Sequence, residues 1–272
     1  MTEDVYTPDP EVEIDGITIS MRLKGKGRPM LVLQSLEGWI RDEEFSGPLA
    51  KNHEVFLPQH PGFSQSPLPE ELRSVDDLAY FYLTMLEEYD LRDVVLVGAG
   101  FGGWIALEMA VRSTERIGAL VLADTLGLRF STDPTERDIQ DIYVMSQAEI
   151  ADNLYYDPEA NRRDVTKLPD HVLLSIAHSR ETMAFLGWKP YMHNPILKRW
   201  LRRIDVPTLV VWGAADKFVF PDYGRKVAEA IPGSRFELLE NAGHYPHIEL
   251  PELFIETVQE FLANAEPVRK SA

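Results

Sequence analysis

The chain has 272 residues and a formal net charge of −17, with 44 Asp and Glu against 27 Lys and Arg. Such a balance disfavours binding to nucleic acid or to an anionic membrane surface, both of which need a basic face. Cysteine is absent, which rules out disulfides, thiolate metal sites and a cysteine nucleophile, and suits a reducing, cytoplasmic setting.

The length fits one α/β domain with an inserted subdomain. The opening MTEDVYTPDP is acidic and lacks both a basic and an apolar stretch, so no secretory leader is expected. No apolar run approaches the roughly 20 residues that span a bilayer. No repeat or low-complexity segment interrupts the pattern.

In chain order, Glu13 to Met21, with Asp15-Gly16 in the middle, reads as a hairpin. Short, nearly continuous apolar runs follow at Met30–Leu33, Val55–Leu57, Val94–Val97, Ala119–Leu122, Thr208–Trp212 and Phe236–Leu239. Runs of this kind suggest strands covered on both faces, as in a parallel sheet. Between them lie helical patterns. Ser74 and Asp77 resemble a capping box, and Leu78, Phe81, Tyr82, Met85, Leu86 and Tyr89 recur at helical spacing. Trp104–Val111, Val227–Ile231 and Leu253–Phe261 mark three more helices. Strand and helix alternate as in a doubly wound sheet. One stretch, from about Ser131 to Arg203, is helical, charged and aromatic with no convincing strand. Inserted there, it would lie over the carboxyl ends of the strands, where open α/β sheets bind ligands.

The segment VVLVGAGFGGWIALEMA, residues 94–110, runs from an apolar strand through Gly98-Ala99-Gly100-Phe101-Gly102-Gly103 into a helix. It resembles the nucleophile elbow of α/β hydrolases, G-x-S-x-G, with Gly98 and Gly102 as the outer glycines and Gly100 where the serine belongs. The same glycines also match the dinucleotide pattern G-x-G-x-x-G, but this strand is not near the start of a Rossmann unit. The rest of the chain fits the hydrolase plan better. Gly213-Ala214-Ala215-Asp216 resembles the acid turn of that family, and Asn241-Ala242-Gly243-His244-Tyr245-Pro246-His247 its histidine loop. The Pro61–Ser66 loop is similar to PGxGxS, and Val206-Pro207 precedes a core strand.

The chain is thus identified as a member of the α/β-hydrolase fold superfamily, over roughly residues 10 to 265. The resemblance implies a mostly parallel eight-stranded sheet with helices on both faces. Residues 1–127 and 205–272 would form the core domain, and 128–204 an inserted helical cap. It also implies an Asp216–His244 pair, in which a buried carboxylate fixes one imidazole nitrogen and leaves the other as a base.

Two departures bear on the chemistry. Gly100 has no side chain to attack with. Where many members have His-Gly after the Leu33 strand, this chain has Gln34-Ser35-Leu36-Glu37-Gly38-Trp39. The Phe101 N–H is an expected oxyanion donor, with Gln34 and Ser35 as further contacts. Ser35 reads either as a displaced nucleophile or as a turn residue bonded to its own backbone; Glu37 reads as a solvated loop acid. Trp188, Tyr191 and Trp200 either wall the pocket or hold cap to body. His178 and His193 belong to the cap surface or to the pocket. His60 and His247 read as loop anchors, and Asp124 as an alternative acid or a loop residue. His244 and His247 form H-x-x-H without a third ligand, so no metal is expected, and no cofactor is implied.

Three functions remain open. The first is a hydrolase acting on an ester or C–C bond of a small carbonyl substrate, in which the Asp216–His244 base activates a water in the space left by the serine, or takes a proton directly from the bound compound. The second is a pseudoenzyme or small-ligand-binding protein that kept the pocket. The third is a serine hydrolase whose serine was replaced. A small molecule is the expected partner in each; a homodimer is left open.

Overall fold

The computed structural model describes residues 10–35, 42–133, 135–161 and 165–265. Their strands are β1 (Glu11–Ile14), β2 (Ile17–Gly25), β3 (Arg28–Leu33), β4 (His53–Pro58), β5 (Val94–Ala99), β6 (Ile117–Ala123), β7 (Thr208–Gly213) and β8 (Arg235–Leu239). They form one eight-stranded sheet in the order β1-β2-β4-β3-β5-β6-β7-β8. The β1–β2 and β2–β4 pairs are antiparallel and the remainder parallel, as expected for an α/β-hydrolase fold.

The hairpin closes at Ile14↔Ile17 around Asp15 and Gly16, whose φ angles of 49° and 75° suit a tight turn between twisted strands. Alternate residues of the parallel strands feed two cores. Leu96, Leu120, Leu122 and Val210 face one side, with α2 (Val75–Glu88), α3 (Phe101–Arg112) and α8 (Pro221–Ala230). Val95, Val97, Val121 and Val211 face the other, with α1 (Asp42–Leu49) and α10 (Pro251–Asn264). Each fully buried Val or Leu is worth ~1.5–3 kcal/mol, so burial on both faces explains the unbroken apolar runs.

The helices begin earlier than their apolar patterns suggest. Pro221, Pro246 and Pro251 open α8, α9 (Pro246–Glu249) and α10, where a missing N–H costs nothing and φ is already set. At the start of α2, Ser74 Oγ accepts from the Asp77 N–H, while Asp77 reaches one residue beyond the cap to the Arg73 N–H.

Between β6 and β7 lie α4 (Gln147–Leu154), α5 (Pro158–Asn161), α6 (Asp170–Gly187) and α7 (Leu197–Trp200), and the described residues there add no strand to the sheet. Asn194 pins this segment to α3: its amide donates to the buried carboxylate of Glu108, which also accepts from Trp104 Nε1 and Arg112.

The turn from β5 into α3 lies hard against the end of β3. A Cβ on Gly102 would stand 2.1 Å from the Leu33 carbonyl oxygen and 2.6 Å from that of Gln34. Gly102→Ala should therefore lower stability by about 2 kcal/mol or more, read as a fall in the denaturation midpoint with unchanged slope.

Candidate active site

Gly100 joins β5 to α3 at φ 50°, ψ −112°, a conformation open to glycine and strained for most other residues. The turn is fixed by its backbone: the Gly100 N–H donates to Ala123 O, and the Gly100 carbonyl accepts from Leu126 and Trp104 N–H groups. Phe101 is the first residue of α3, so the helix leaves its N–H without an intrahelical acceptor. Its ring belongs to the core, stacked on Phe63 and edge-on to His60 and Trp104.

Asp216 and His244 meet in the interior, 1% and 2% exposed. Past the end of β7, Asp216 Oδ1 accepts from the Phe218 and Val219 N–H groups, both at 2.9 Å. Its Oδ2 accepts from His244 Nδ1–H at 2.8 Å. The imidazole is wedged edge-on against Phe218 and Tyr245. With Nδ1–H committed, Nε2 carries the free lone pair. It lies 3.2 Å from the point where a Cβ on Gly100 would sit.

A second acid completes this cluster. Asp124, fully buried after β6, accepts from the Gly213 N–H through Oδ1, and Oδ2 has no donor among the described residues. Asp124, Asp216 and His244 each bring a ligand atom within 4.8 Å of the others. Burial, and then the charge of Asp216, push the Asp124 carboxyl well above the ordinary carboxylate range.

The hollow expected above Gly100 is not empty. Ser35, buried after the end of β3, places Oγ 2.3 Å and Cβ 3.0 Å from the Cβ position of residue 100. The expectation of a water in that space is corrected accordingly: the Ser35 side chain occupies it. Gln34, the other expected contact, is 4% exposed. Its amide nitrogen donates to Gln59 Oε1 at 2.6 Å, and its own Oε1 lacks a partner. Leu36, Glu37, Gly38 and Trp39 lie outside the described residues.

Trp188 and Tyr191 pack against each other and their neighbours. Trp188 is 55% exposed and lies edge-on to Tyr143 and Tyr191. The Tyr191 hydroxyl donates to Gln140 O and accepts from the Ile142 N–H. His193 pairs with Gly127 in an isolated bridge and bonds to the Tyr191 carbonyl. His178 faces inward, bonded to Ser64 O.

Other positioning residues were hidden in the sequence. On α6, Thr182 donates to Gly62 O and Ser179 Oγ accepts from the Ser64 N–H, which clamps the Pro61–Ser66 loop. Glu249 accepts from the N–H groups of Gly243, Tyr156 and Asp157, tying the histidine loop to the stretch between α4 and α5. The His244 N–H itself donates to Leu154 O, at the end of α4.

These features define the class, and comparison with known proteins agrees. The model of the alpha/beta hydrolase family matches residues 36–257, and the chain belongs to that family. It is 25% identical to the 2-hydroxy-6-oxo-6-phenylhexa-2,4-dienoate hydrolase of Burkholderia cepacia, over 93% of this chain and 94% of that protein. It is 28% identical to a 2-hydroxy-6-oxononadienedioate/2-hydroxy-6-oxononatrienedioate hydrolase of Escherichia coli, over 84% and 83%. Among solved structures, a mutant of the meta-cleavage product hydrolase CumD superposes with a TM-score of 0.76 at 19% identity, covering 95% of this chain and 99% of that one.

His60 holds the end of β3 in register with the site. Fully buried, its Nε2–H donates to Gln34 O and its Nδ1 accepts from the Tyr82 hydroxyl. Burial lowers its pKa to about 4. A base depressed in the folded state favours folding above its unfolded value near 6.5, and that stabilisation is lost as pH falls through about 4. The cost reaches about 3 kcal/mol in all. Thermal melts from pH 7 to pH 4 should therefore fall more steeply for the wild type than for His60→Gln, which keeps a donor and an acceptor but does not titrate.

Proposed function

We propose that this protein hydrolyses an ester or carbon–carbon bond beside a carbonyl group in a small substrate, with His244 as the base and Asp216 orienting it. The observation that carries this reading is the buried Asp216–His244 hydrogen bond, with Nε2 3.2 Å from the Cβ position of Gly100, the residue before Phe101. A base at that point can take a proton from an attacking hydroxyl, and a helix-start N–H can receive the oxyanion that forms. The curated relatives named above, hydrolases of oxo-dienoate compounds by their names, support the same substrate class. Residues 128–204 would act as the cap. The tethering of α4 to the histidine loop and of α6 to the Pro61–Ser66 loop supports that role. No helix among the described residues is long and apolar enough to cross a membrane.

One observation favours a second reading, ligand binding without turnover: residue 100 offers no nucleophile. Measured turnover separates the two. Small esters, lactones and β-diketone-like compounds should be converted by the wild type, and His244→Ala should lose at least ~10²-fold of that rate. Tight binding of such a compound without conversion supports the second reading, and turnover unchanged in His244→Ala removes the base.

A further inference from the structure

Resting on that reading of the site, we propose that Ser35 is the nucleophile, delivered from the end of β3 instead of from the β5–α3 turn. The register of the sheet brings it there. In the parallel β3–β5 ladder Leu33 pairs with Gly98, and two residues further on each chain Ser35 comes level with Gly100. Because Gly100 has no side chain, the Ser35 side chain enters the space where an elbow serine would project. Its Oγ and His244 Nε2 approach the same point, at 2.3 and 3.2 Å. Substrate binding needs to close only the remaining gap to hydrogen-bond reach.

The segment carrying Ser35 is held from three sides. His60 bonds to the Gln34 carbonyl, Gln59 takes the Gln34 amide, and the bare Cα of Gly102 admits the Leu33 and Gln34 carbonyls. Among the described residues the Ser35 hydroxyl is not committed to a neighbouring backbone group, as it would be in a turn role. A nucleophile on an anchored segment beside an oriented base is the arrangement that covalent catalysis requires.

The reaction balances without a co-reactant beyond water. Ser35 Oγ forms a bond to the substrate carbonyl carbon as its proton passes to His244 Nε2. The oxyanion collapses, the bond to the leaving group breaks, and that group takes the proton from His244. Water, deprotonated by His244, then attacks the acyl–Ser35 ester, and the proton returns to Ser35 as the acid leaves.

A fluorophosphonate probe tests the assignment without knowledge of the substrate. Mass spectrometry of the wild type should find one phosphonyl group, on the peptide containing Ser35. Ser35→Ala should carry none, and labelling of His244→Ala should slow by at least a hundredfold. A wild type labelled at another residue, or left unlabelled, overturns the proposal. So does full turnover by Ser35→Ala of a compound that His244→Ala cannot convert, a result that leaves the base reading standing. Labelled Ser35 together with inertness toward every carbonyl compound in the screen supports Ser35 and removes the proposed substrate class instead.

Discussion

The site depends on the close approach of two chain segments: the end of β3 against the turn that joins β5 to α3. The contact exists because residues 100 and 102 are both glycine. Gly102 lets the Leu33 and Gln34 carbonyls lie where a Cβ would otherwise stand, and Gly100 leaves room for the Ser35 side chain. Residue 100 also holds φ 50°, ψ −112°, a strain that glycine carries without cost and that turns the α3 N-terminus toward His244. A Cβ at either position would push these segments apart, and the base would then face a different set of groups.

Around that contact the electrostatics are arranged by burial. Two backbone N–H groups and His244 satisfy the Asp216 carboxyl oxygens. Asp124, adjacent and equally buried, is pushed toward its neutral form, so the cluster avoids two adjacent charges in a medium that would penalise them. His60 illustrates the same rule for a base: without an ionic partner in the interior it stays neutral, and serves as a two-ended hydrogen-bond link between Tyr82 and Gln34.

How much of this was legible in the sequence follows from the range of each interaction. The elbow, the acid turn and the histidine loop are short patterns after apolar strands, so the fold and the Asp216–His244 pair could be read directly. The tethers could not. Thr182 finds Gly62, Glu249 finds Tyr156, and Asn194 finds Glu108 across long stretches of chain, and a threonine, glutamate or asparagine in a helix or loop carries no local sign of such a partner. Trp188 and Tyr191 had two readings in the sequence, pocket wall or packing, because aromatic residues suit both. The position of Ser35 was within reach: its distance from Leu33 equals that of Gly100 from Gly98, and the parallel pairing of those two positions puts the serine beside the empty turn. What the sequence lacked was the strand register.

The helices between β6 and β7 extend the same logic outward. Leu154 receives the His244 N–H, and α6 grips the Pro61–Ser66 loop, so movement of these helices is mechanically linked to the base and to the loop beside it. The central claim remains the shared space between residues 35 and 100. A double-mutant cycle in denaturant measures it, comparing Ser35→Gly, Gly100→Ser and the exchange of both. Gly100→Ser alone should destabilise by about 2 kcal/mol or more, and adding Ser35→Gly should recover ~1 kcal/mol or more of that loss. Additive effects would contradict the claim, since they would mean that the two side chains never compete for one place.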